Sequence, residues 1–154
     1  MGLSFEERAA AQNPPPAYRP IIGLDGFIAD NGPIFVMQDE DGGYRFGCRI
    51  MPHMCNQLGV AHGGWVATLC DVALPLTARF TVPELAENFM LTVNLSVDYM
   101  QGPKLGSWLE CSARVLKKTK RMVFVDGLTR SEGELMARAS GVFRTGPDGP
   151  PLRF

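Results

Sequence analysis

An antiparallel β-sheet curled around one long helix, in a single α+β domain, is the fold the sequence predicts, and three observations predict it. The stretch from Gly64 to Phe80 is apolar almost all round at helical spacing, and such a helix has to be enclosed. Four strand-like runs separated by short turns follow it, which is the pattern of an antiparallel meander. The 154 residues are close to one domain's worth and carry neither an internal repeat nor a linker long enough to divide them.

Each element has a local cause. Ser4-Phe5-Glu6-Glu7 is a capping box that starts a short amphipathic helix, and Pro14-Pro15-Pro16 stops it. Strands are expected at Ile34–Asp39 and Tyr44–Ile50, joined through the hairpin signal Asp41-Gly42-Gly43. Residues 51 to 61 are irregular, and the long helix follows, closed off before Pro83. Leu91–Met100 alternates, with Leu91, Val93, Leu95, Val97 and Tyr99 on one face and Thr92, Asn94, Ser96 and Asp98 on the other. Trp108–Leu116, Arg121–Thr129 and Leu135–Arg144 complete the meander. Residues 1–20 are expected as an N-terminal helix and Pro-rich segment, 21–145 as the domain, and the Pro/Gly-rich 146–154 as a flexible tail.

Composition excludes several function classes. With 45% hydrophobic and 20% charged residues the chain is not of the disordered type. A net charge of -1 provides no electrostatic footprint for nucleic acid or an anionic membrane. Trp65 to Ala78, the most apolar helical stretch, is too short for a bilayer and contains Asp71 and Pro75. Cys48, Cys55, Cys70 and Cys111 form no CxxC pair and no zinc-spaced cluster, so no metal is expected. Reduced thiols and the absence of a leader pattern make a cytoplasmic location the expectation.

The helix carries the chemistry. At ~100° per residue, Gly64, Thr68, Asp71 and Pro75 fall within an arc of roughly 60°, a narrow small-or-polar stripe with a carboxylate in its middle. A carboxylate among apolar residues is costly unless it is paired or used. Asp71 is therefore either hydrogen-bonded to its surroundings, for example to Thr68, or functional. His62-Gly63-Gly64 stands where the helix begins. Open amides and the positive end of the helix dipole make that place suited to an oxygen bearing negative charge. Cys70, next to Asp71, lies ~100° off the stripe with no histidine placed to activate it, which makes it a core thiol.

The run Asn56-Gln57-Leu58-Gly59-Val60-Ala61-His62-Gly63-Gly64, followed by Leu69-Cys70-Asp71, resembles the signature of hotdog-fold thioesterases of the phenylacetate-degradation (PaaI-like) type. Thr92 to Tyr99, Pro103-Lys104-Leu105-Gly106 and Gly133 to Ala137 continue the resemblance, which covers about residues 33 to 145. It implies the hotdog fold and hydrolysis of small aryl- or medium-chain acyl-CoA thioesters without a separate cofactor. It also implies Asp71 as nucleophile or general base, Gly63 as carbonyl polariser through its amide, and Asn56 and His62 as support. Thr92 matches a residue that helps position water, although the alternation puts it opposite the apolar face. Either a bulge turns it inward or it is a surface threonine. Gly64 and Thr68 would allow close approach of substrate or partner. Lys117, Lys118, Lys120 and Arg121 form a basic turn, without the glycine usual there, that either grips the CoA phosphates or is simply solvated. A non-catalytic acyl-CoA sensor is the alternative. A hydratase is disfavoured because no histidine follows Asp71.

Gly63 and Asp71 stand eight residues apart on one helix, roughly 12 Å at ~1.5 Å per residue. One small carbonyl cannot touch both. A homodimer with shared active sites is therefore expected, and the resemblance implies two such dimers in a tetramer.

Overall fold

The computed structural model describes residues 2–154; Met1, at the head of the expected 1–20 segment, lies outside the described residues. Helix α1 spans Phe5–Ala11, α2 Phe27–Asn31 and α3 Gly63–Thr81. The strands are β1 Arg19–Pro20, β2 Phe35–Gln38, β3 Tyr44–Arg49, β4 Asn88–Tyr99, β5 Trp108–Lys118, β6 Met122–Ser131 and β7 Glu134–Asp148. They form one antiparallel sheet in the order β1-β2-β3-β5-β6-β7-β4. The sheet and its enclosed helix are the hotdog architecture. Ser4 accepts from the Glu7 amide and Glu7 reaches back to the Ser4 amide, so the capping box forms as read.

The core lies between α3 and the sheet. Leu69, Cys70, Ala73 and Leu74 on the helix are fully buried against Phe46, Leu109, Val123, Val125 and Phe143. The helix comes close because β6 and β7 have glycines beneath it. A Cβ on Gly127 would lie 2.6 Å from the Leu74 side chain, and one on Gly141 would lie 3.2 Å from it. A row without side chains is thus a trough that receives Leu74.

Besides two 3-10 turns at Pro52–Met54 and Pro83–Leu85, one strand and one α-helix escape the sequence reading, and all four are too short to show a period. β1 is a two-residue strand ending in Pro20, and α2 is five residues long with no side-chain cap. The expectation of a flexible tail is corrected. β7 continues through Pro147 to Asp148, where β4 still pairs with it after β6 has ended at Met122 opposite Arg144. A proline fits there because only one side of the strand needs a donor. Beyond it Arg153 pairs with Ile22, Leu152 packs on the core and Phe154 lies 5.4 Å from the Phe80 ring.

The N-terminal segment lies on the other face of the sheet. Tyr18, Phe35 and Trp108 form a second buried cluster, with the Tyr18 hydroxyl donating to Glu110. Burial and that carboxylate push the Tyr18 hydroxyl well above its usual range. Gln12, also buried, donates to the Pro33 carbonyl and accepts from the Arg49 amide.

The indole of Trp108 packs flat on Gly47, where a Cβ would stand 2.7 Å from the ring. Gly47→Ala is therefore expected to lower unfolding stability by about 1–3 kcal/mol through overpacking, read by urea denaturation. An unchanged midpoint would mean that the cluster yields at no cost.

Candidate active site

The start of α3 is built by a tight loop. Asn56 Oδ1 accepts from the Leu58 amide at 2.9 Å, and Gly59 at φ 72° turns the chain back so that the Asn56 amide meets the Val60 carbonyl. The Ala61 amide is held by the Pro103 carbonyl and the His62 amide by Met54. His62 is the N-cap: its Nδ1 accepts from the Gly64 amide at 2.9 Å. That contact occupies the Gly64 amide, whereas the Gly63 amide has no acceptor among the described residues. Gly64 is exposed beside it. Asn56, Val60, Gly63 and Val66 line a cleft of about 300 Å³ with Tyr99 to Pro103.

Tyr99 was not singled out from the sequence as a site residue. Its hydroxyl donates to the Gly63 carbonyl at 2.8 Å, and its ring lies 3.4 Å from where a Gly63 Cβ would be. Its place at the end of an alternating strand was visible, but which element it would meet was not.

Asp71 belongs to a different cleft. It lines a space of about 490 Å³ together with Thr68, Val72, Pro75, Phe89, Met90 and Thr92, roofed by residues 23–28 and the tail. No residue is common to the two linings. The expectation of a carboxylate enclosed among apolar residues is corrected, because Asp71 is exposed, although Thr68 on the same stripe is half-buried and Pro75 buried. Pro75 has no N–H to offer the Asp71 carbonyl four residues back, so that carbonyl lacks its usual helical donor although the helix runs on unbroken. Thr68 donates to the Gly64 carbonyl at 2.8 Å and not to Asp71.

The partner of Asp71 is Thr92, whose Oγ1 donates to Oδ1 at 2.7 Å. A register shift in β4 explains how it gets there. Thr92 stands opposite Phe143 and Asn94 opposite Val142, so Val93 is an extra residue. Before the bulge Met90 and Thr92 face the helix; after it Leu95 and Val97 pack on the core. The unbroken alternation read from the sequence is corrected for Leu91 and Val93, which are 43% and 57% exposed.

Lys117, Lys118, Lys120 and Arg121 are exposed at the β5–β6 hairpin. Pairing of Leu91 with Arg144, and of Arg144 with Met122, puts this tip at the Asp71 end of the sheet, away from Gly63. Cys70 is fully buried. Its neighbour Cys111 has its thiol held well above the usual range by the contact with Cys70 and by burial. Burial likewise pushes Cys48 up to about 12. Among the described residues no three His, Cys, Asp or Glu side chains group as a metal site, and no helix is long and apolar enough to cross a membrane.

The model of the thioesterase superfamily matches residues 58–137. A Pseudomonas aeruginosa protein that bears an esterase name is 35% identical over 131 residues, covering 85% of this chain and 96% of the relative. Mouse acyl-coenzyme A thioesterase 13 is 33% identical over 89 residues, covering 54% of this chain and 59% of that one. Among solved structures, a Bacillus halodurans protein crystallised with CoA superposes with a TM-score of 0.73 at 23% identity, covering 94% of this chain and 89% of its own. The chain belongs to the thioesterase superfamily and is classed with thioester hydrolases.

The cap at His62 is a local contact that can be removed by itself. His62→Ala is expected to cost about 1 kcal/mol of stability and to speed hydrogen exchange at the Gly64 amide, measured by denaturation and NMR. Full retention of both would show that the cap contributes nothing.

Proposed function

We propose that the protein hydrolyses acyl-CoA thioesters, small aryl or medium-chain, at a site made from the Asp71 cleft of one protomer and the Gly63 cleft of a second. The observation that carries this reading is the separation of the two clefts. A donor amide without an acceptor lines one, a carboxylate held by Thr92 lines the other, and eight helical residues keep them apart. A two-fold axis that runs α3 antiparallel to its copy sets each Gly63 beside the other chain's Asp71. β4 supports the same arrangement. It is the outermost strand, paired only with β7, and its Phe89, Leu91 and Val93 are exposed. A long apolar edge of that kind invites a second copy.

In this reading the Thr92 hydrogen bond fixes Oδ1 and orients the carboxylate. Asp71 accepts a proton from water as the water oxygen attacks the thioester carbon. The Gly63 amide, at the positive end of α3, holds the oxyanion that forms. Collapse of that intermediate breaks the C–S bond and releases CoA, whose sulfur takes up the proton. The alternative, direct attack by Asp71, passes through a mixed anhydride. Single turnover in ¹⁸O water separates the two, since only the anhydride route can leave label in the protein carboxylate. Relatives and solved neighbours named for acyl-CoA thioesterase activity or for bound CoA support CoA as the leaving group. The basic hairpin, at the same end as Asp71, suits the nucleotide phosphates. His62 and Asn56 serve by shaping the helix start, and Gly64 and Thr68 keep the exposed stripe low enough for the second chain.

Asp71→Asn is expected to lower turnover of phenylacetyl-, benzoyl- or hexanoyl-CoA on the order of 10²-fold or more, read as free thiol. A folded variant retaining most activity would remove Asp71 from the mechanism. Stoichiometric binding without thiol release by the wild type would favour a sensor. Gly63→Val is expected to cost activity by obstructing the carbonyl's approach. Mixing Gly63→Val chains with Asp71→Asn chains should then restore about a quarter of wild-type activity, because half of the dimers are mixed and each carries one intact site. No recovery on subunit exchange, or an active monomer, would overturn the shared site.

A further inference from the structure

The Asp71 cleft has a charge at its far end that nothing described so far uses. Arg79, in the last turn of α3, lines this cleft and is 6% exposed. No carboxylate lies within ion-pair distance of it among the described residues. Its Nε donates to the Ala86 carbonyl at 2.8 Å and one Nη to the Pro150 carbonyl at 3.0 Å. A guanidinium has five N–H donors, so these two bonds leave most of its capacity unused. The C-terminal end of α3 favours a cation, but roughly half a unit of dipole charge does not balance a whole one. A buried charge without a counter-ion is costly to keep.

The free part of the group reaches the cleft. The second Nη makes no hydrogen bond among the described residues and is not one of the sealed polar atoms, and Gly149, whose Cβ would stand 3.4 Å from it, places no side chain beside it. Between Asp71 and Arg79 the walls are apolar, formed by Leu24, Ile28, Val72, Pro75, Leu76 and Met90. Asp25, the other acid of the lining, is exposed to water and screened by it. Eight helical residues separate the two charged groups, ~12 Å along the axis. The cleft therefore combines a carboxylate suited to a thioester carbonyl, an apolar passage, and a cation with unspent donors.

We propose that Arg79 binds a carboxylate at the distal end of the acyl group, so that ω-carboxyacyl-CoA thioesters of medium length are preferred substrates. The inference rests on the reading that the Asp71 cleft takes the acyl part of a thioester. Charge-assisted hydrogen bonds to a planar carboxylate are what an Arg fork forms best. A plain methyl-ended chain of the same length would leave the guanidinium desolvated and unpaired, and sites built around a polar contact reject such analogues strongly.

The test compares kcat/KM for matched pairs: glutaryl- with pentanoyl-CoA, adipyl- with hexanoyl-CoA, suberyl- with octanoyl-CoA. The wild type is expected to favour the ω-carboxy member of at least one pair about tenfold or more. Arg79→Gln should abolish that preference and Arg79→Lys should retain part of it. If Arg79 only clamps the Ala86 and Pro150 carbonyls, both members of a pair fall together and the ratio stays fixed, which overturns the proposal. Where Arg79→Gln does not fold, the wild-type ratios and Arg79→Lys decide. A wild type that hydrolyses the uncharged member equally well or better at every length overturns the role of Arg79 while leaving the thioesterase reading standing. If the wild type cleaves none of the six, the Arg79 assignment falls, and if it also leaves phenylacetyl- and benzoyl-CoA intact, the thioesterase reading falls with it.

Discussion

Leu74 projects from α3 into the space left by the missing side chains of Gly127 and Gly141, and this close seating fixes how near the helix lies to β6 and β7. It brings the helix down on β6 and β7 so that Phe46, Leu109, Val125 and Phe143 enclose it from several strands. Packing at interior density does not yield by fractions of an ångström without cost. The direction of the helix is thus fixed, and with it the face left uncovered. That face is the stripe through Gly64, Thr68 and Asp71.

From the fixed helix the two clefts follow. At its start the loop from Asn56 to His62 delivers a capped N-terminus with one amide unspent. Eight residues later Asp71 stands on the same helix, and the bulge in β4 turns Thr92 to meet its carboxylate. β4 touches both places, through Tyr99 at one and Thr92 at the other, so a single edge strand coordinates the whole exposed stripe. Helix and strand, rather than mobile loop, hold Asp71 and Thr92.

The roof over the Asp71 cleft comes from chain ends. Leu24, Ile28, Pro150 and Leu152 line that cleft opposite Val72 and Leu76 of α3, and Arg79 holds the tail through the Pro150 carbonyl. On the opposite face of the sheet the N-terminal segment is pinned by Gln12, Tyr18 and Arg49. Segments that look like appendages in the sequence therefore shape the space beside the carboxylate and cover the sheet.

The sequence by itself determined the helix, the meander, the capping box and the eight-residue spacing of Gly63 and Asp71 along one helix. Each of these is a matter of spacing along one element, and spacing survives in a linear string. It could not determine whether Thr92 faces in or out, because a bulge is a disagreement between two strands and is visible only when both are paired. Nor could it assign Tyr99 to the Gly63 carbonyl, since those residues are 36 apart in the chain and meet only through the curl of the sheet. The tail was misread for the same reason. Its prolines and glycines argue for disorder locally, but one paired edge, the Arg153–Ile22 bridge and the packing of half-buried Leu152 on the core outweigh local preference. Contacts between distant segments decided what local propensity left open, because burial acts on whichever surfaces the finished fold brings together.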